Sequence, residues 1–497
     1  MVAIPRLTVR TEFGSVMAVP HRGSVLFRNV PYAAPPFGAR RFLPPSSPTI
    51  WDGLRDGAEP GVGMPQPSYP DPLSRYFNPK RQGEDALTLE VHTPELGRTG
   101  MPVMVWLHGG GFMTGAGSAQ ANDGFAFARD GIVHVSINYR LGLDGWLLLD
   151  DHELDHSDNL GLRDMIAALE WVQRNIDFFG GDPSNVTIAG HSTGGSAVAY
   201  LLAAPAARGL FCRAISQSGS ASMTLTVDEA HAISTRVSEL SGLPATREAM
   251  RTLSFEATSA IVQQVFFEVY GNPFAWQGLH RIPVTFGGIS GTESIPDAVI
   301  PALSKGSASG VAILAGTTKD ETASLFDLQF SGVTIDSDLG RAILLGLDAD
   351  QPVFDAYRQS LPADTTDLAT LAAIATDRWA RQPTIDLLNA HDDVNFLYQF
   401  TWESPMLGAG VGAVQGLDIP FANDDFENLQ DVPRGARMLG IDPSLSLASR
   451  MHTAFADFVK VGDPGWAAWD SESRVEMRFD SVCTASKMAD ELGAQRA

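Results

Sequence analysis

Two short glycine-rich segments carry the groups that can do chemistry. Gly190-His191-Ser192-Thr193-Gly194 has the G-x-S-x-G form. Where a buried strand ends at the first glycine and a helix starts near the second, that form is a nucleophile elbow. The sharp turn lifts the serine Oγ above the sheet edge, and its glycines are required because side chains would collide with it. His108-Gly109-Gly110-Gly111-Phe112 is the second segment. Consecutive glycines let backbone N–H groups approach a ligand oxygen closely, which an oxyanion hole needs. Acyl transfer at Ser192 is the chemistry these two segments imply.

The surrounding pattern supplies elements to position them. Residues 103–107 (VMVWL) form a short all-apolar run, as expected of a strand buried on both faces of a parallel sheet. Residues 132–137 (IVHVSI), 186–189 (VTIA), 311–315 (VAILA) and 396–402 (FLYQFTW) read as further strands. In residues 159–179, Leu160, Leu162, Ile166, Leu169, Val172 and Ile176 recur at helical spacing, and Gly180-Gly181 ends the helix. Residues 335–395 read as mostly helical. Strands separated by helices predict an α/β fold with a mostly parallel central sheet flanked by helices. The expected organisation is one domain over residues 1–497, with a helical lobe inserted late in the chain.

Composition narrows the partners. A net charge of −23 over 497 residues excludes a nucleic-acid binder, which needs a basic face, and disfavours an anionic membrane surface. It favours neutral or cationic small molecules over anionic ones. Cys212 and Cys483 are the only cysteines, so one disulfide is conceivable, but no disulfide framework or zinc site is indicated. No metal or organic cofactor is implied. The first eleven residues lack a signal-peptide pattern, and no run of apolar residues is long enough to span a membrane, so a cytoplasmic enzyme is expected. The oligomeric state is not specified. His152 and His156 lie four residues apart in an acidic stretch, which reads as a solvated charge cluster. His452 reads as a helix-surface residue.

With its neighbours, the chain resembles the type-B carboxylesterase family, which includes bacterial p-nitrobenzyl esterases and, distantly, the cholinesterases. Phe27-Arg28-Asn29-Val30-Pro31-Tyr32-Ala33 is similar to its F-R-G-I-P-Y-A segment, and Glu84-Asp85-Ala86-Leu87 to its E-D-C-L, with alanine where many members have a cysteine. Asn138-Tyr139-Arg140-Leu141-Gly142, Asn159-Leu160-Gly161-Leu162, Phe179-Gly180-Gly181-Asp182-Pro183 and Phe458-Val459-Lys460-Val461-Gly462-Asp463-Pro464 follow in the family's order. The resemblance implies the α/β-hydrolase fold and a serine hydrolase acting on carboxylic esters through an acyl-enzyme on Ser192. It implies oxyanion donors at Gly110, Gly111 and Thr193. From Gly316-Thr317-Thr318-Lys319-Asp320-Glu321-Thr322 it implies Glu321 as the triad acid, with Thr322 where a glycine is usual. Phe112, Phe274 and Trp276 are candidates for the substrate pocket, core packing being the competing role.

The third triad position departs from the pattern. The family's G-A-x-H-G-x-D-I-P-F segment reads Gly412-Ala413-Val414-Gln415-Gly416-Leu417-Asp418-Ile419-Pro420-Phe421 here, with Gln415 in the slot of the histidine. An amide cannot accept a proton near neutral pH. The residue before the nucleophile, usually glutamate in the family, is His191. One expectation is that His191 supplies the missing base or orders a water that does; the other is that it only packs or hydrogen-bonds in the elbow. Three alternatives to an ester hydrolase with an impaired base remain. One is a non-hydrolytic enzyme (cyclase, lyase or isomerase) reusing the oxyanion hole. The others are an inactive ligand-binding homologue and an engineered inactive triad variant.

Overall fold

The structure is a computed structural model that describes residues 7–68, 74–271, 285–330, 332–404, 412–427 and 444–488. Its centre is an eleven-stranded sheet. Three strands open it: Val19–His21 (β1), Ser24–Pro31 (β2) and Thr88–Thr93 (β3). Met101–Leu107 (β4), Val133–Ile137 (β5), Gly181–His191 (β6) and Arg213–Gln217 (β7) follow. Ala312–Thr318 (β8), Asn395–Phe400 (β9), Val475–Phe479 (β10) and Thr484–Lys487 (β11) complete it.

The spatial order is β11-β10-β9-β8-β7-β6-β4-β5-β3-β2-β1. All pairings from β5 through β10 are parallel, and both edges are antiparallel. Every residue of β5 is buried, and β4 is buried except at Pro102. Helices cover both faces of such strands, which is why the runs VMVWL and VHVSI are continuously apolar or nearly so rather than alternating. This is the α/β-hydrolase fold.

Two helices frame the site. Leu160–Asn175 (α1) continues into a 3-10 turn, Ile176–Phe179, and stops at Gly180, whose φ of 91° is the left-handed cap its sequence predicts. Thr193–Ala203 (α2) is buried along its whole length, which its Gly, Ala, Val and Leu content permits.

The late helical segment is also present. Ala323–Phe330 (α3), Asp338–Gly346 (α4), Gln351–Ser360 (α5), Asp367–Thr376 (α6) and Gln382–Asn389 (α7) lie between β8 and β9. A separate apolar cluster that includes Phe326, Leu344, Phe354, Leu371 and Ile374 holds the first four together. Cys212 and Cys483 are both free thiols, so the conceivable disulfide does not form. No helix among the described residues is long and apolar enough to cross a membrane.

Candidate active site

The sheet brings the two glycine-rich segments together at the carboxyl ends of neighbouring strands. Gly190 on β6 is in register with Leu107 on β4, and His191 with Gln217 on β7. Ser192 follows with φ 57° and ψ −125°, a conformation that is strained for a residue with a side chain. Such strain costs on the order of 1–3 kcal/mol and persists because the surroundings fix it. Here the Ser192 N–H donates to Gln217 O (2.9 Å), and its carbonyl accepts from Ser196 N at the start of α2 (3.0 Å). Close packing requires the glycine at 194: a Cβ there would lie 2.1 Å from Leu107 O. His108 and Tyr139 brace the preceding loop, their rings stacked at 4.3 Å while the Tyr139 hydroxyl donates to His108 O (2.5 Å).

The glycine loop turns back on itself beside Ser192. Gly110 and Gly111 have φ of 119° and 67°. The bonds that close the turn use the N–H groups of Met113 and Thr114, donating to Gly110 O at 3.1 and 3.0 Å, not those of Gly110 and Gly111. Thr193 is the first residue of α2, so its N–H belongs to the helix turn that has no intrahelical acceptor. A Cβ on Gly109 would lie 3.1 Å from Ser192 Cβ, which shows how closely the loop approaches the elbow.

Ser192 is partly exposed. Among the described residues, the side-chain hydrogen bond to its Oγ comes from Gln415 Nε2, at 3.3 Å. The amide therefore donates to the serine oxygen; it has no means of taking the serine proton.

Behind the elbow lies a buried polar layer. Glu321 follows the end of β8; its Oε1 accepts from Thr318 N (2.7 Å), and its Oε2 is buried with no hydrogen-bond partner among the described residues. Burial pushes its carboxyl up to about 8; the Ser218 hydroxyl opposes the rise, and the nearby Asp418 carboxylate adds to it. Asp418 is fully enclosed. Burial raises it to about 6, against the Gln217 amide, which donates to its Oδ2 at 3.4 Å, and nearby backbone N–H groups. His191 Nε2 is 3.8 Å from Asp418 Oδ1, and among the described residues neither atom has a hydrogen-bond partner. Burial lowers the His191 imidazole to about 4, so near neutral pH the ring is uncharged.

These placements sort the expected residues. Ser192, Thr193 and Gln415 meet at the elbow, and the loop that carries Gly110 and Gly111 reaches it through Gly109, while Glu321 and His191 lie in the buried layer. His191 is directed at Asp418 rather than hydrogen-bonded to the serine, the geometry of the packing alternative. Phe112 is a correction: it is fully buried, with its ring against Trp146 (4.3 Å) and Tyr200 (5.9 Å), so it fills the core instead of walling a cleft. The cause is its backbone, whose φ of 57° at the end of the glycine turn sends the ring inward. Phe274 and Trp276 lie outside the described residues. His452 is a second correction. It is buried, with Nδ1 2.8 Å from Ala422 O and Nε2 3.0 Å from Asp130, because its helix, Leu445–Val461 (α8), packs that face inward. His156 pairs with Glu293 at an exposed site (2.6 Å), consistent with a solvated cluster. Sequence reasoning missed Asp418, Gln217 and Ser218. Only Asp418 had a signal, as an acidic residue amid the apolar Leu417-Asp418-Ile419-Pro420-Phe421.

A parallel sheet with a serine elbow at its centre defines an α/β-hydrolase. The sequence profile of the Carboxylesterase family matches residues 7–492. The chain is 35% identical over 487 residues to the para-nitrobenzyl esterase of Bacillus subtilis, covering 96% of this chain and 95% of that one. It is 31% identical over 470 residues to the phenmedipham hydrolase of Pseudarthrobacter oxydans, covering 93% and 91%. A Geobacillus stearothermophilus carboxylesterase of known structure superposes with a TM-score of 0.85 at 31% identity, over 99% of both chains. The chain belongs to the carboxylesterase family.

Proposed function

We propose that this protein hydrolyses neutral carboxylic esters through an acyl-enzyme on Ser192, at a rate limited by the lack of a general base on Ser192 among the described residues. The observation that carries this reading is the strained Ser192 held between the glycine loop and the Gln415 amide. In the first half-reaction, Ser192 Oγ attacks the ester carbonyl carbon. The developing oxyanion accepts hydrogen bonds from the N–H groups of Gly110, Gly111 and Thr193, and the alcohol leaves. In the second, water attacks the acyl carbonyl and releases the acid.

Both steps need a proton removed from the attacking oxygen and one given to the leaving oxygen; with no base on Ser192 among the described residues, bulk water takes the first and supplies the second. Loss of the base from an assembled triad costs on the order of 10⁶-fold in kcat, roughly 8 kcal/mol. Oxyanion stabilisation and binding still leave about 10³ to 10⁴ over water. His191 in this reading supports the elbow from behind: its ring abuts the Gly416 turn, where a Cβ would lie 3.9 Å from His191 Cε1, and its Nε2 faces Asp418. Glu321 is the acid of an incomplete triad. Its unpartnered Oε2 is the atom that would accept the N–H of a base.

A second reading, a ligand binder in the same cleft, is favoured by the amide contact on Ser192. Fluorophosphonate labelling together with p-nitrophenyl ester hydrolysis separates the two. Slow labelling at Ser192 with slow turnover, both raised by Gln415→His, supports the hydrolase. Absence of both in either form would leave the binder.

A further inference from the structure

A second group of reactive side chains lies near the first edge of the sheet, outside the site described above. His21 ends β1, His92 is on β3, and Asp123 lies in the loop before the short helix Phe125–Arg129. His21 Nε2 is 2.8 Å from Asp123 Oδ2, and His92 Nδ1 is 3.8 Å from Asp123 Oδ1. One ligand atom from each of the three lies within 4.8 Å of the others. His92 is 1% exposed, and among the described residues its Nδ1 has no hydrogen-bond partner although it faces the carboxylate. A buried polar atom left unpaired costs about 1–3 kcal/mol, so a nitrogen held in this way calls for an explanation.

We propose that His21, His92 and Asp123 bind a divalent transition-metal ion, zinc fitting best, with water as the fourth ligand. Two imidazole nitrogens and one carboxylate oxygen are a zinc-type donor set, whereas calcium and magnesium select oxygen ligands. Zinc at about 2.0–2.1 Å from each ligand in a tetrahedron separates ligand atoms by roughly 3.3 Å. The two separations, 2.8 Å to Asp123 Oδ2 and 3.8 Å to Asp123 Oδ1, run to different carboxylate oxygens, and the three ligand atoms lie within 4.8 Å of one another, so the side chains must draw together by up to about 1.5 Å to close on an ion. The His21 and Asp123 side chains are 22% and 13% exposed, which gives an ion and a water access.

The local charges permit a cation. Arg22 lies 3.9 Å from Asp123 Oδ2, but its guanidinium also donates to Asp425 (3.1 Å) and Glu427 (2.9 Å) and stacks on Phe125. Burial keeps His92 well below the usual histidine range, at about 4, so its lone pair is free at neutral pH. His134, register partner of His92, sits beside it at 5.9 Å and is likewise held neutral by burial. Bound metal would tie the first hairpin to β3 and to the loop before Phe125–Arg129. It would stabilise the native chain in proportion to ligand concentration over Kd.

The test uses the full chain stripped with a chelator and titrated with zinc chloride by calorimetry, with the cobalt(II) visible spectrum as a second readout. One equivalent should bind, the thermal midpoint should rise with zinc, and cobalt should give a tetrahedral d–d band. His21→Ala and Asp123→Asn, each checked for folding by circular dichroism, should weaken binding by at least about tenfold. His156→Ala, at the separate exposed pair, should bind like the parent. No saturable uptake by the parent, or unchanged affinity in folded His21→Ala, would overturn the proposal.

Discussion

At Ser192, what is present and what is lacking are separated by one side chain. Gln415 donates to the serine oxygen, and in the proposed reading it stands where a base would act. Replacing it with histidine should therefore raise kcat for a p-nitrophenyl ester by about 10³-fold or more, part of the 10⁶ that a base is worth. The gain should depend on Glu321. In the parent, burial without a cation nearby leaves Glu321 raised to about 8, so near pH 7 it is mostly a neutral acid. An imidazolium beside its unpartnered Oε2 would pull it back down. The rescued variant should then gain activity as pH rises through about 6.5, where the new histidine loses its proton. Adding Glu321→Gln to Gln415→His should cost up to about 10⁴-fold, whereas Glu321→Gln in the parent should change the rate only a few-fold, because members of a triad act as a unit. Steady-state kinetics on the four proteins tests this; equal Glu321→Gln effects in both backgrounds would remove Glu321 from the proposed triad.

Element by element, the strands and loops that present these residues were legible to different degrees, for a physical reason. β4, β5 and β8 are buried largely by apolar side chains, so their sequences announce them. β3 (TLEVHT) and β7 (RAISQ) are inner strands too but bury Glu90, His92 and Gln217, and no apolar run marks them. Gln217 belongs to the buried layer behind the elbow and His92 to the cluster proposed to bind metal, so strands that bury polar groups were harder to read than strands that bury mostly apolar ones. Phe112 was missed for another reason: side-chain direction at a left-handed residue is not encoded in residue type. Thr322, a departure from the family's glycine, finds its explanation only in three dimensions. Its hydroxyl donates to Ala372 O (2.7 Å) and lies 3.1 Å from the Thr376 hydroxyl, joining the loop that carries Glu321 to α6 of the helical lobe. Thr322→Ala should destabilise the protein by about 1–3 kcal/mol, since it leaves buried groups unpaired. In the Gln415→His background it should lower kcat more than it changes KM, because the loop that positions Glu321 loosens. Denaturant unfolding and steady-state kinetics measure the two effects, and an unchanged unfolding midpoint would show that the contact does not anchor the lobe.

For the whole molecule, two sets of buried groups that titrate between about pH 3 and 8 have opposite pH dependence. His92, His108 and His191 are lowered to about 4 and His134 to about 3, in each case mainly by burial. An unfolded chain would protonate these rings near 6.5, so their contribution to stability is complete above about 6.5 and is lost as pH falls toward 4. Glu90, Asp418 and Glu321 are raised to about 7, 6 and 8, again mainly by burial. Unfolded, they would ionise near 4, so their contribution is complete below about 4 and is lost as pH rises through 6 to 8. The two sets oppose each other between about 4.5 and 6.5, and only the carboxyl loss continues above that. Self-repulsion of a chain with net charge −23 acts in the same direction as the carboxyls. The thermal midpoint should therefore peak near pH 6 and fall by several degrees both below about pH 5 and by about pH 8.5, since each kcal/mol moves it by a degree or more. Glu321→Gln, which cannot ionise, should flatten the alkaline limb and leave the acid limb intact. A midpoint as high at pH 8.5 as at pH 6 in the parent would mean that these carboxyls are not held protonated in the folded chain. The Glu321 state invoked for the rescue of Gln415→His would then be wrong as well, so one melting series bears on both the fold and the site.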